Sequence, residues 1–470
     1  MSTLEHENQA GIRAILDRQR QAFLASGSSS AQQRIELMDR AIGLLVDHEK
    51  EIIEALSADF GHRSADFSRV VDVLSPLMTL KQTKAAVTDW MQPEIRQTDR
   101  GEASVHYQPL GVVGIVIPWN GPFAVGFACL AGALAAGNRV MIKPSEFTPK
   151  TSELMARMIR SVYAENEVAV VTGDADVGRI FCSQPFDHLM FTGAGSVGRQ
   201  VMRAAAENLV PVTLELGGKS PTILSRSADL HMAVSKVIGG KLMNAGQVCL
   251  APDYVFVPEE QVEDFIALAR TVVAGMLPTL RDNPDYTSVI NARHFQRLQG
   301  YLDEAREAGV EVIELNPAGE DLSDQQHHKI APTLLNNPDD GLKVMQDEIF
   351  GPLLPIKPYK DITEVVAYIN AHPRPLGLYW FGSDPAEEAF VLDRTCSGGV
   401  TINDVVRHGG VENLPFGGVG HSGMGAYRGR DGFKTLSHGK AVLRAVDGLD
   451  PTRPPYSEQV RQFIGSLITR

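Results

Sequence analysis

Apolar and polar positions alternate with two different rhythms along this chain. Over residues 1–90 the apolar positions recur three and four apart, as in AQQRIELMDRAIGLLVDHEKEIIEAL, the period of helices with one buried face. The stretch SGSSS at 26–30 separates a first helix from the rest, and no site chemistry is expected in this region. From about residue 105 short apolar runs alternate with helical segments: VGIVIP, a helix over 123–136, RVMIKPS, a helix over 150–162, VAVVTG, a helix over 175–182, HLMFTG, a helix over 196–208, then VPVTLELGG. This alternation predicts a parallel, doubly wound sheet, because parallel strands need a crossover helix between them. A second series begins near Ser220 and runs through PDYVFVP, VEVIEL, LLPIKPY and GGVTIN, predicting a second α/β lobe. From about Asp447 the stretch DGLDPTRPPYSEQ, rich in proline and polar residues, predicts an extended tail.

Composition narrows the picture. A chain of 470 residues is too long for one simple core and suggests two to four lobes. With 44 Lys+Arg against 57 Asp+Glu, the net charge of −13 lacks the basic excess of a nucleic-acid footprint. The most apolar region, Gly111 to Gly137, is broken by Pro118, Asn120 and Pro122, so no bilayer span is expected. Cys129, Cys182, Cys249 and Cys396 lie far apart without a C-x-x-C pair, so neither a metal site nor a disulfide framework is expected. The acidic start MSTLEHENQA is unlike a secretory signal, and a reduced, cytoplasmic setting follows as the expectation.

Candidate chemistry falls in the loops after strands, where open parallel sheets bind their ligands. GAGSVG at 193–198 fits the G-x-G-x-x-G dinucleotide fingerprint, which read literally would make Glu215, seventeen residues after Gly198, a ribose ligand. Cys249, in NAGQVCLAPDY, sits in a loop between a helix and the strand YVFVP, with Gly246 to turn the backbone. A lone cysteine is ordinarily a small buried hydrophobe, but this placement suits a thiolate nucleophile. Cys129 and Cys182, on apolar helical segments, read as core. After strands, PWN offers the Asn120 amide to an oxyanion, and MIKPSE offers Lys143 and Glu146 to ribose hydroxyls. EIFGP adds Glu348 beside Phe350.

In order, PWN, KPSE, FTG…VG, LELGGKSP, GQVC, EIFGP and PFGG…SGMG at 415–425 resemble the signature series of the NAD(P)-dependent aldehyde dehydrogenase superfamily, over roughly residues 105 to 440. The short N-terminus, APDYV after the cysteine, LGLYWFG and PFGGVGHSGMGAYRGRDGF resemble its class-3-type branch, most of all the bacterial coniferyl aldehyde dehydrogenases. The resemblance implies two Rossmann-like doubly wound α/β lobes with a small oligomerisation arm: a cofactor-binding domain over 1–95 and 108–216, a catalytic domain over 217–420, and an arm and tail over 96–107 and 430–470. A homodimer or homotetramer is implied with it.

The same resemblance implies that Cys249 is the nucleophile, Asn120 an oxyanion donor together with the Cys249 amide, and Glu215 the general base instead of a ribose ligand. Trp119, Lys143, Glu146, Gly193, Gly198, Glu348 and Phe350 would bind NAD, with NADP possible; Gly195 would be incidental, and Ala194 stands where family members often have serine. The implied reaction oxidises an aldehyde, aromatic such as coniferyl aldehyde, to its acid through a cysteine thiohemiacetal and thioester. A medium- or long-chain aliphatic aldehyde is the alternative, ahead of a CoA-acylating enzyme, which commonly lacks the glutamate base, or a catalytically silent protein. The expected pocket wall, residues 122–127, Val248, Leu250 and 404–408, is largely apolar, and no arginine is expected to clamp a carboxylate there.

Overall fold

Strands buried on both faces must be apolar throughout, and the first series of short apolar runs forms such a sheet. In a computed structural model describing residues 3–98, 101–323, 327–446 and 451–468, five parallel strands lie side by side in the order Val212–Glu215, His188–Thr192, Val112–Val116, Arg139–Lys143, Val168–Val170. Gly423–Met424 adds an antiparallel edge beside Val212–Glu215. The chain starts this sheet at Val112–Val116, in its middle, and later strands are laid down first on one side and then on the other. The segments leaving Val112–Val116 and His188–Thr192 therefore diverge and open a crevice at the carboxyl ends of the strands.

The helix Pro122–Ala136 is apolar around its whole circumference and is buried along it, only Ala124 and Val125 being partly exposed. It stops at Gly137, whose left-handed φ of 90° suits a residue without Cβ. The helical N-terminal region packs on this same lobe: Met38, Leu45 and Leu56 share a core with the Pro122–Ala136 helix, and Ile12 and Leu16 share one with Phe181 and Leu189. Among the described residues no helix is long and apolar enough to cross a membrane.

The second series forms a seven-stranded sheet in the order Glu311–Glu314, Thr333–Asn336, Leu353–Tyr359, Tyr254–Pro258, Pro221–Leu224, Gly377–Phe381, Gly399–Ile402, parallel except for its first pair. A third, antiparallel sheet joins Glu94–Arg96, Gly101–Pro109 and Ser437–Ala445, the last two in register from Ser437 opposite Pro109 to Ala445 opposite Gly101. The tail is not extended throughout: Glu458–Ile468 is a helix with Val460 buried. Its apolar positions Val460, Phe463 and Leu467 carry a helical period that the preceding prolines obscure. Residues 99 and 100 of the expected arm, and 447–450 and 469–470 of the expected tail, lie outside the described residues.

Candidate active site

Asn120 stands between a strand and a helix, and a buried ion pair decides where that helix begins. Asp72 Oδ1 accepts from the Phe123 and Ala124 amides at 3.0 and 3.1 Å, while its Oδ2 accepts from Arg63 Nη2 at 2.7 Å. Both charged side chains are fully buried. The first amides of a helix have no partner within it, so a carboxylate there satisfies them and complements the helix dipole. Asp72 itself lies in a π-helical turn, Arg69–Leu74. Site chemistry was not expected in residues 1–90, yet this pair anchors the segment carrying Trp119 and Asn120, and Phe60 stacks tilted on Trp119 at 6.0 Å. The available signal was an aspartate inside the apolar run RVVDVL.

Cys249 is presented by a left-handed turn. Asn244 and Ala245 have φ of 50° and 53°, which strains non-glycine residues, and Gly246 follows at φ 77°, where a Cβ would lie 2.1 Å from the Gly351 carbonyl oxygen. Gln247 holds the turn: its side-chain amide donates to the Asn244 and Ser288 carbonyls at 2.8 and 3.0 Å and accepts from the Ile290 amide at 3.0 Å. The Gln247 carbonyl in turn accepts from Asn120 Nδ2 at 3.1 Å. Two residues on, Cys249 is thus tied to Asn120 across the two lobes. This role of Gln247 was invisible in the motif GQVC, because its partners lie on distant loops.

Glu215 ends its strand buried and turned toward Cys249. Burial raises its pKa, with Cys249, Arg428 and Thr192 opposing. The Cys249 thiol is also pushed well above the ordinary thiol range, by burial first and then by the Glu215 charge. The two groups are close enough to shift one another, but neither Glu215 oxygen has a hydrogen bond of normal geometry among the described residues. Cys249 remains partly exposed, whereas Cys129 and Cys182 are buried in helices, the latter pushed up to about 12 by burial. Cys396 is exposed.

The crevice side carries the remaining expected residues. Helix Gly195–Ala206 begins after Ala194 with no side-chain cap, and while Val197 donates to the Ala194 carbonyl at 3.0 Å, the Gly195 and Ser196 amides are left for an anion. Gly198 lies inside it, where a Cβ would meet Leu216 Cδ2 at 2.5 Å, so this glycine brings helix and strand together; at Gly195 a Cβ would meet nothing within 4 Å. Gly193 donates its amide to the Glu215 carbonyl at 3.1 Å. Lys143 is buried with Nζ donating to the Pro144 carbonyl at 2.7 Å, while Glu146 is exposed. Glu348 Oε1 accepts from the Gly218 amide at 2.9 Å, and burial pushes its carboxyl up to about 8. A Cβ on Gly217 would come 2.0 Å from that oxygen, so the cradle needs a glycine. Trp119 meets Phe350 edge-on at 5.3 Å, and Phe350 has φ of 46°.

Phe123, Phe127, Leu250 and Phe416 belong to one buried apolar core, against which Val125, Val248 and Cys249 pack. Two expectations for the pocket wall need correction. Asp404 is drawn away to Lys236 and Arg407, at 3.2 and 3.3 Å. Arginines are present: Arg407 lies within the segment itself and is spent on Asp404, and Arg428, from a segment distant in sequence, lies 5.0 Å over the Phe416 ring.

Free amides at a helix start beside a strand-order reversal, a reachable thiol, a buried carboxyl and an amide donor are together the parts of an NAD(P)-linked oxidoreductase. The chain matches the aldehyde dehydrogenase family over residues 1–442, and it belongs to that family. It is 53% identical over 474 residues to a protein of Caulobacter vibrioides named probable coniferyl aldehyde dehydrogenase, covering 98% of each chain. It is 50% identical to the coniferyl aldehyde dehydrogenase of a Pseudomonas species, covering 97% of this chain and 95% of that one. Among solved structures, the substrate-bound state of AldH from Staphylococcus aureus superposes with a TM-score of 0.91 at 32% identity, over 97% of this chain and 99% of that one. A Mycobacterium tuberculosis aldehyde dehydrogenase complexed with NAD+ superposes with a TM-score of 0.83 at 26% identity, over 93% and 90%. The chain is therefore an aldehyde dehydrogenase using NAD(P).

Proposed function

We propose that this enzyme oxidises coniferyl aldehyde or a close aromatic analogue to the carboxylic acid. The observation that carries the reading is the aromatic and aliphatic core including Phe123, Phe127, Leu250 and Phe416, on which Val248 and Cys249 pack. The names of the two relatives above point the same way.

Glu215 removes the Cys249 proton, and the thiolate adds to the aldehyde carbon. The carbonyl electron pair moves to oxygen, giving a thiohemiacetal oxyanion held by Asn120 Nδ2 and the Cys249 amide. The nicotinamide cofactor, when bound, supplies the two-electron acceptor that takes this carbon to the acyl level. Glu215, its proton returned to solvent, then takes a proton from water; the resulting hydroxide adds to the thioester and expels the Cys249 thiolate. An amide donor suits the oxyanion because it stays neutral and unreactive. A thiolate suits both addition and departure.

For the cofactor, the amides at the start of helix Gly195–Ala206 and Gly193 would hold the pyrophosphate, Trp119 and Phe350 would bind the nicotinamide end, and Glu348 would hold its ribose. Glu146, exposed just beyond the strand Arg139–Lys143, would accept from the adenosine ribose and repel a 2′-phosphate, while Lys143 already donates to the Pro144 carbonyl. NAD is accordingly preferred, although a rat relative 37% identical to this chain is named as a dimeric NADP-preferring aldehyde dehydrogenase. The exposed apolar side chains Ile95 and Leu443 on the three-stranded sheet support a homodimer or homotetramer through that arm. The setting is cytoplasmic.

The test is a panel of cinnamaldehydes, benzaldehydes and straight-chain alkanals compared by kcat/KM from NADH absorbance. Highest values for the cinnamaldehydes are expected; highest values for the alkanals would replace the aromatic reading with the aliphatic one.

A further inference from the structure

Two charged residues hold the backbone on either side of Glu348. Lys219 directly follows Gly218, whose amide binds Glu348 Oε1. Its Nζ donates to the Val344 and Asp347 carbonyls at 2.9 and 3.0 Å, and to Asp253 Oδ2. The other oxygen of Asp253, Oδ1, accepts from the Ile349 amide at 2.9 Å. The residues before and after Glu348 are thus bonded to one ion pair, and its carboxyl to the residue next to that pair's lysine.

The pair is built in firmly. Asp253 is only 3% exposed, and its amide donates to the Ser220 carbonyl at 2.9 Å, which ties it to the Gly218–Ser220 stretch before either meets Glu348. A carboxylate this far from water is costly unless bonded, and here both of its oxygens are. From another side Arg297 Nη1 donates to the Ile349 carbonyl at 2.8 Å and the Tyr301 hydroxyl to Asp347 Oδ2 at 2.9 Å. The charges acting on Glu348 come from both lobes: Glu215 and Cys249 at the reacting centre, Asp253 and Lys219 in the pair, and Lys241, buried on the helix Leu230–Leu242.

We propose that Lys219 and Asp253 are positioning residues for the cofactor, fixing the Glu348 carboxyl where it meets the nicotinamide ribose. Neither touches the reacting atoms. The assignment rests on the reading that Glu348 holds that ribose, and it names what holds Glu348. Removing one partner leaves the other charge buried alone and frees the turn 344–349 from its anchor, a loss of orientation that falls on the cofactor and not on the aldehyde. The two charges also act on Glu348 in opposite senses: Asp253 favours its protonated form and Lys219 its ionised form.

The experiment measures kcat, the KM of NAD and of the aldehyde, and NAD binding by fluorescence across neutral to alkaline pH in Asp253→Asn, Lys219→Met, Lys219→Arg and Glu348→Gln. Asp253→Asn and Lys219→Met should each raise the KM of NAD by about ten-fold, while the aldehyde KM moves by about two-fold or less. Lys219→Arg, which keeps the charge and its donors, should recover part of the loss. The pH at which NAD binding changes as Glu348 loses its proton should fall in Asp253→Asn, which removes a negative neighbour, and rise in Lys219→Met, which removes a positive one. A fault of folding alone would lower the active fraction, and with it kcat, without moving either KM or that pH. An NAD KM within about two-fold of native in both variants, or pH midpoints that do not move apart, would overturn the proposal. If only one variant folds, the direction of its own midpoint decides. Glu348→Gln with native NAD binding at every pH would instead refute the ribose reading, whereas altered binding there with native binding in the pair's variants would refute only the role of the pair.

Discussion

Glu215 ends a strand of the first sheet, Glu348 begins the turn leading into the Leu353–Tyr359 strand of the second, and burial raises the pKa of both. Their bonding differs. Glu348 is fixed by the Gly218 amide at 2.9 Å in a cradle that Gly217 keeps open. Glu215 has no hydrogen bond of normal geometry among the described residues and faces the Cys249 thiol. A carboxyl that orients a ligand gains from a fixed donor, because the donor sets its direction. A carboxyl that exchanges protons needs its lone pairs free. The same side chain therefore fits two tasks according to what the backbone around it offers.

The largest expected effect removes the group that both carboxyls attend. Cys249→Ala should lose dehydrogenase turnover while still binding NAD in a fluorescence titration, and iodoacetamide should inactivate the native enzyme at Cys249. Turnover persisting in the alanine variant would dissolve the contrast at its root.

Next comes the free carboxyl. Glu215→Gln should release about one NADH per site in a burst and then stall as the thioester, with steady-state turnover down by about 10²-fold or more. A second role in taking the Cys249 proton would slow the burst too, so burst and steady state are compared. In the native enzyme both Cys249 and Glu215 must lose protons that burial makes them hold, so kcat/KM should climb as pH rises from neutral. A profile falling over that range contradicts the assignment, and weaker NAD binding with normal turnover in Glu215→Gln would return Glu215 to the ribose.

The fixed carboxyl should be less sensitive. Because Glu348 is pushed up to about 8, it is largely neutral at pH 7, and glutamine resembles that neutral form. Glu348→Gln should therefore cost roughly ten-fold or less at pH 7 and more at pH 9, where the native group is ionised. Gly217→Ala, which drives a methyl into Glu348 Oε1, should lower activity further than Glu348→Gln at pH 7. Equal losses at both pH values would remove the distinction in protonation. The smallest effect is expected at exposed Glu146, where Glu146→Gln should shift the NAD to NADP ratio of kcat/KM toward NADP by a few-fold; a native enzyme that already favours NADP would refute the preference.

Much of this architecture was legible along the chain. The runs at Val112–Val116, His188–Thr192 and Tyr254–Pro258 are short, apolar and bounded by turn residues, which local sterics and burial make into strands. Asn120 was legible in the loop after a strand and Cys249 in the loop between a helix and the strand Tyr254–Pro258, and the structure has both there. The fingerprint GAGSVG was legible but ambiguous, since letters alone do not say whether Glu215 faces a ribose or a thiol. The tail helix Glu458–Ile468 was missed because proline-rich flanking composition outweighed a weak helical period.

The sequence by itself determined most of the helices and strands, that two doubly wound lobes form, and which residue types were available for thiol chemistry. Those properties depend on neighbours within a few positions, where backbone geometry and apolar spacing act directly. Only the tertiary structure decided that Asp72 would cap a helix 51 residues away, that Thr79 would reach Glu412 across 333 residues, and that Arg428 would lie over the Phe416 ring in a core otherwise read as apolar. Such contacts follow from how the two sheets and the helices between them close around one crevice, and no local period encodes a partner at that separation.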